Sequence, residues 1–297
     1  MARRTQVWVA TLLLATPAVS AASLDLYEWS AVAPLVVSAQ VVGESGRYVE
    51  VRVERALRGP LTSGSVVAVD LRTANRLRSM DVDPHALRLE PGRSYVLLLE
   101  GRSLDKGRAA YSLVRGVRGS LELPAEGDAV TLATLERVIA IQELHDEQLK
   151  WQQMTALLQD TNWLTLQTAL DQFLKFRRGS AELLPVLAVL LDHPRPELRR
   201  RTALLAADVL RAAAGSDEGE ERAKLRSALV ARARRDEAVP VRVAATQALA
   251  GFVDDAADTV LREIATQDPE QEVRYAAVCI LHDRAGAGAA PGAAAPR

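Results

Sequence analysis

The sequence predicts a multidomain α and β molecule: a small all-β barrel or sandwich, then a row of paired α-helices forming a solenoid. Three observations predict it. Apolar residues alternate with polar ones between about Leu35 and Leu123, the apolar spacing changes to three and four from about Thr131, and a turn-and-helix pattern recurs beyond Leu183. The composition suits a folded chain, since 297 residues that are 48% hydrophobic and 25% charged can bury a core. With 37 basic and 38 acidic side chains, no global field draws the chain to nucleic acid or to an anionic membrane surface. A single cysteine, Cys279, excludes an intrachain disulfide framework and a cysteine-based zinc cluster.

Residues 1–22 read as a secretory signal peptide. Arg3 and Arg4 precede an apolar run from Val7 to Ala15, which is followed by Pro17 and small residues through Ala22. That run is too short for the roughly 20 residues a membrane-spanning helix needs. Cleavage is expected after Ser20, Ala21 or Ala22, taking the formal charge from −1 to −3 with the loss of Arg3 and Arg4. A lipid anchor would need a cysteine at the cleavage point, and Cys279 is far from it. The mature chain is therefore expected in the periplasm or outside the cell, without a membrane anchor. Cys279, among Ala276, Ala277, Val278, Ile280 and Leu281, is expected to be a buried apolar filler.

The β domain is expected over 23–127. In the stretch from Tyr48 to Glu54, Val49, Val51 and Val53 share one face and the charges the other. Similar runs lie at Leu35–Val42, Ser65–Leu71, Tyr95–Leu99, Tyr111–Val114 and Ser120–Leu123. Turns are marked at 43–46, Gly59-Pro60, Ser63-Gly64, Pro91-Gly92 and 116–119. Pro91-Gly92 fits the centre of a type II turn, because proline presets the first position and glycine tolerates positive φ at the second. Short strands at this spacing close on themselves, which removes exposed edges.

A connecting helix is expected over 128–150, marked by Leu132, Leu135, Val138 and Ile139 and continuing through Leu144. The helical hairpins follow over 151–284, opening with the aromatic residues Trp151, Trp163, Phe173 and Phe176. Three turns repeat one pattern: Asp192 before Leu198 and Arg199, Asp236 before Val241 and Arg242, and Asp268 before Val273 and Arg274. An alanine-rich helix follows each turn and another apolar helix precedes it. The step from Arg242 to Arg274 is 32 residues and that from Arg199 to Arg242 is 43, the excess coinciding with the loop-like segment from Gly215 to Glu221. A fourth copy begins at Asp160, with Leu166 in the place of Leu198. Residues 285–297 hold only alanine, glycine, proline and arginine, a tail expected to be disordered.

These turns and helices resemble HEAT-like (armadillo-class) repeats, in which the turn aspartate and the valine-arginine pair open the second helix of each hairpin. The resemblance implies an α-solenoid with a protein-binding surface, and no chemistry of its own. It also implies that Arg199, Arg242 and Arg274 stack along the solenoid and bond the acidic turns. The β half is similar to OB-like barrels of secreted bacterial proteins and netrin-type modules, on Val41-Val42-Gly43, the run from Val51 to Leu57 and Gly59, and the run from Leu89 through Pro91-Gly92 to Tyr95 and Leu99. Inhibitors of that kind chelate a protease metal through an amino-terminal cysteine, which this chain lacks.

The remaining motifs yield no reaction. Asp81, Asp83 and His85 place three potential metal ligands at alternate positions, short of the donors a metal site needs, and read as a polar loop. Glu143, His145 and Glu147 lack the second histidine of a zinc helix and read as a solvated helix face. His193 and His282 read as turn and helix-end residues that tolerate positive charge near carbonyl groups. Four histidines scattered along the chain give no serine triad, and no phosphate-cradling loop is present. Between Arg195 and Arg242 there are twelve basic and eight acidic residues, with no interleaved aromatic residue for nucleic acid. The expectation is a non-catalytic adaptor without a cofactor, binding an unidentified protein partner on the solenoid surface and no nucleic acid. The alternative is an envelope enzyme or metal- or ligand-binding protein with its site near Asp81, Asp83 and His85.

Overall fold

The computed structural model describes residues 25–45, 48–71, 89–105, 108–114, 116–124, 129–212 and 219–288. The chain forms two compact units, Met1–Leu135 and Glu136–Arg297.

Among the described residues the first unit begins with a short helix that the apolar pattern did not reveal, α1 (Leu26–Ala31), capped by Asp25, whose carboxylate accepts from the N–H groups of Tyr27 and Glu28. Six strands follow: β1 (Leu35–Ser45), β2 (Tyr48–Arg58), β3 (Val66–Asp70), β4 (Ser94–Asp105), β5 (Arg108–Leu113) and β6 (Ser120–Glu122). Antiparallel pairing joins β1 to β2, β2 to β3, β5 to β4 and β4 back to β1, while β3 and β5 run parallel. The order β1-β2-β3-β5-β4-β1 is thus a closed five-stranded barrel, and β6 is an extra strand paired along the start of β4. Register shifts at three places in β1 supply the bending that closure of so small a barrel demands.

Alternation places Val37, Ala39, Val51, Val53, Leu97 and Leu99 in one fully buried interior cluster. Their neighbours Val36, Ser38, Val96 and Leu98 point the other way and are buried as well, so this part of the barrel is covered on both faces. The chain around α1 is tied down there, with Arg58 donating to the carbonyls of Ser30 and Ala33 and the Trp29 indole donating to that of Arg118. At the Pro91-Gly92 turn Gly92 has φ +82°, and its N–H donates to the Val41 carbonyl at 2.8 Å.

The helix expected over 128–150 is two helices. α2 (Ala129–Gln142) stops, and α3 (Glu147–Leu157) starts afresh because the Asp146 carboxylate accepts from the N–H groups of Gln148 and Leu149 at 2.7 and 3.1 Å. An aspartate bonded to the backbone ahead of it favours a cap over continuation. Then follow α4 (Trp163–Phe176), α5 (Leu184–Leu190), α6 (Pro196–Ala212), α7 (Glu220–Arg235), α8 (Val239–Ala248), α9 (Asp255–Gln267) and α10 (Gln271–Gly288). Residues 136–288 are all-helical wherever they are described.

Each helix of this unit packs on its neighbour in the chain within the pairs α3/α4, α5/α6, α7/α8 and α9/α10. Helices two apart also pack: α4 on α6, α6 on α8 and α8 on α10, with α5 on α7 and α7 on α9. Leu198, Val241 and Val273 open α6, α8 and α10 as buried anchors, and Ala203, Ala245 and Ala277 beyond them are fully buried small residues that let helix axes approach.

Candidate functional site

The turns between the paired helices build one connected polar structure. Arg199, in the first turn of α6, donates from Nε and Nη2 to the two carboxylate oxygens of Asp236 at 2.7 and 2.8 Å, and from Nη1 to the carbonyls of His193 and Pro194 in its own turn. Arg242 repeats this one hairpin later, donating to both oxygens of Asp268 at 3.0 and 3.2 Å and to the Asp236 carbonyl. Arg274 bonds its own turn through Nη1, to the carbonyls of Asp268 and Pro269. Asp236 and Asp268 are each held further by a backbone N–H two residues on, from Ala238 and Glu270. Arginine can serve both roles because its planar fork presents separate donors on two edges.

Burial alone would raise the Asp236 carboxyl. The hydrogen bonds from Arg199 and from the Ala238 N–H, with the charges of Arg199 and Arg232, outweigh it and hold that carboxyl below the ordinary range. The same hydrogen bond, against burial, raises the Arg199 guanidinium above its usual value. Both shifts favour the charged forms, so the pair is ionised at neutral pH.

The ladder has two ends. Asp192 occupies the first turn, yet its side chain is 69% exposed and takes its bond from Arg232 of α7 at 2.8 Å. In the fourth copy, Gln167 follows Leu166 where Arg199 follows Leu198, so that hairpin offers no guanidinium to Asp192. Asp160 instead pairs with Arg137 of α2. At the other end, the Nε and Nη2 atoms that grip an aspartate in Arg199 and Arg242 hold no carboxylate in Arg274 among the described residues.

The arginine-rich stretch is largely paired across hairpins. Arg201 bonds Asp171 of α4, Arg226 bonds Asp254 and Arg234 pairs with Glu263 of α9, while outside that stretch Arg284 of α10 pairs with Asp258 within its own hairpin. Arg222 and Arg226 also lie over the Phe252 ring, at 5.2 and 4.7 Å. These partners stand about 30 residues away in the chain, which is why local charge counting could not find them.

The other sequence candidates resolve individually. Asp81, Asp83 and His85 lie outside the described residues, and elsewhere no three His, Cys, Asp or Glu side chains converge as a metal site among the described residues. Glu143 and Glu147 do not share one helix, because the chain breaks between them at the Asp146 cap. His193 is held below its usual pKa by burial and by the charges of Arg195 and Arg199, and its Nδ1 accepts from the Arg195 N–H, so it serves as a neutral acceptor rather than a cation. His282 is exposed on α10.

Cys279 is half-exposed, not buried, and stands one helical turn from Tyr275, whose hydroxyl is raised above its usual pKa by the neighbouring thiol. Tyr275 and Val278 beside it are exposed on the same helix. Trp151 meets the Phe173 ring at a tilt and the Phe176 ring edge-on, at 5.2 and 5.8 Å, while Trp163 stands apart beneath Arg195 at 4.1 Å.

No family model and no curated protein matches the chain. A solved structure, the crystal structure of an engineered protein from a structural-genomics consortium, is similar to 52% of this chain and 76% of its own, at 18% identity and a TM-score of 0.38. A likeness of that size carries no argument about fold or function. No helix among the described residues is long and apolar enough to cross a membrane.

Proposed function

We propose that the protein is a non-catalytic adaptor, secreted or periplasmic, whose helical region is a HEAT-like α-solenoid that binds a protein. The observation that carries the reading is the bidentate bond of Arg199 to Asp236, repeated by Arg242 and Asp268 one hairpin later. A polar contact that recurs at two successive steps belongs to a stack of equivalent units, in which each hairpin completes its core on its neighbours. The packing of helices two apart in two runs supports the same arrangement. Such a stack offers a broad surface of paired helices rather than a catalytic cleft, and the barrel, with its order β1-β2-β3-β5-β4-β1 and parallel β3–β5 pair, fits an OB-like domain.

The experiment expresses the full chain with its own leader and a terminal affinity tag, fractionates the cells, and cross-links the envelope fraction before purification. The expected result is a mature chain beginning at Ala21, Ala22 or Ser23 outside the cytoplasm, with one protein retained in stoichiometric amount through a salt wash. A chain that stays cytoplasmic and unprocessed, or that retains no protein, defeats the reading.

A further inference from the structure

We infer that the outer face of α10 is a docking site for a helix of another protein that carries an aspartate or glutamate just ahead of its first turn. The inference rests on the solenoid reading and says where the partner binds and what it must present.

Equivalent positions in successive hairpins make the case. Ala203 of α6, Thr246 of α8 and Val278 of α10 stand the same distance beyond Arg199, Arg242 and Arg274. Ala203 and Thr246 are 0% exposed, while Val278 is 49% exposed. Three residues further on, Ala206 and Leu249 are fully buried and Leu281 is half-buried. Arg274, Val278, Leu281 and Ala285 recur at helical spacing on one side of α10, the side that a following hairpin would cover. Among the described residues, the arginine at the head of this stripe lacks the carboxylate that its two predecessors grip with the same atoms.

Charge complementarity selects the occupant. A second copy of this chain, laying the same stripe against it, brings Val278 and Leu281 together but offers no carboxylate from that stripe to Arg274. Residues 289–297, which follow α10, contain no aspartate or glutamate side chain. A partner helix with an acidic residue before its first turn supplies both features: an apolar face for Val278 and Leu281, and two oxygens for the fork of Arg274.

The test inserts a second copy of residues 253–284 after Arg284 of the full chain, which preserves the 32-residue step and places the copied Asp268 where the ladder calls for the next carboxylate. Amide exchange between 274 and 285 should slow by about tenfold or more as the face becomes covered. That protection should be lost when the copied aspartate is changed to asparagine, or when Arg274→Gln is introduced. Unchanged exchange in the inserted protein, or protection indifferent to both substitutions, overturns the inference. Asp268→Asn in the unextended chain separates the two failures: if it destabilises the chain while the insertion gives no protection, the stack stands and the docking site falls. Light scattering on the unextended chain covers the remaining occupant, since a dimer dispersed by Val278→Glu assigns the face to a second copy and also overturns the inference.

Discussion

Arg199 and Asp236, 37 residues apart in sequence, meet through two parallel hydrogen bonds in a site from which water is nearly excluded. Neither side chain can lose the other without leaving a buried charge uncompensated, a change that typically costs about 3–5 kcal/mol. Arg199→Ala and Asp236→Ala should each fall in that range by urea denaturation. Arg199→Lys should recover only part of the loss, because an ammonium cannot span both oxygens and the two turn carbonyls together. The paired apolar replacement Arg199→Met with Asp236→Leu should be less destabilised than the sum of the single variants. Additivity would show that the two residues are not coupled.

The same pair sets a pH dependence. The Asp236 carboxyl titrates lower in the folded than in the unfolded chain, whose ordinary value is 3.8, so its contribution is full above that value and is lost as pH falls through the lower folded one. The stability difference between the native chain and Asp236→Asn should therefore be constant near neutrality and shrink below about pH 4. His193 also titrates below its ordinary 6.5, and the unfolded chain binds its proton first as pH falls. Stability should consequently decline below 6.5 in the native protein and decline less there in His193→Gln, as read by chemical denaturation at a series of pH values. A difference that grows on acidification would reverse the sign for either residue.

What the sequence made legible follows from how local each signal is. The alternation through Val49, Val51 and Val53 and the positive φ required at Gly92 are properties of a few consecutive residues, and both are read directly. The break at Asp146 was readable from its residue type but was overridden by apolar spacing that runs on through Leu144. The cover over Val36, Ser38 and Val96 was hidden because β1 and β4 are apolar on both faces there, so the period of two does not say which side holds the core. Arg199, Arg242 and Arg274 stood out only through repetition. The capture of Asp192 by Arg232 breaks the repeat rule and depends on a contact 40 residues away, which no pattern in the chain announces.

The Asp146 cap makes its own forecast. Removing a side chain that accepts two N–H bonds at a helix start costs about 1 kcal/mol. Asp146→Ala should lower stability by that amount, and Asp146→Ser or Asp146→Asn should restore most of it, since each can accept from the same N–H groups. If α2 and α3 behaved as one continuous helix, alanine at 146 would instead stabilise it by its higher intrinsic propensity. The sign of the change in the thermal midpoint decides between the two.

Two glycines in the barrel separate backbone strain from steric exclusion. Gly59 and Gly64 both have positive φ, +94° and +84°. A Cβ on Gly64 meets open space, whereas one on Gly59 would lie 2.2 Å from Leu35 Cδ2 and 3.3 Å from the Pro34 carbonyl oxygen. Gly64→Ala should therefore cost only the conformational penalty of a left-handed alanine, about 1–2 kcal/mol. Gly59→Ala should cost that and more, because the Leu35 side chain must move where β1 begins, and Leu35 pairs with Leu99 at the seam that closes the barrel. Shortening the obstructing side chain in Gly59→Ala with Leu35→Ala should then give a loss smaller than the sum of the two single variants, measured as thermal midpoints. Equal losses for Gly59→Ala and Gly64→Ala would mean that the close approach at Leu35 contributes nothing to closure.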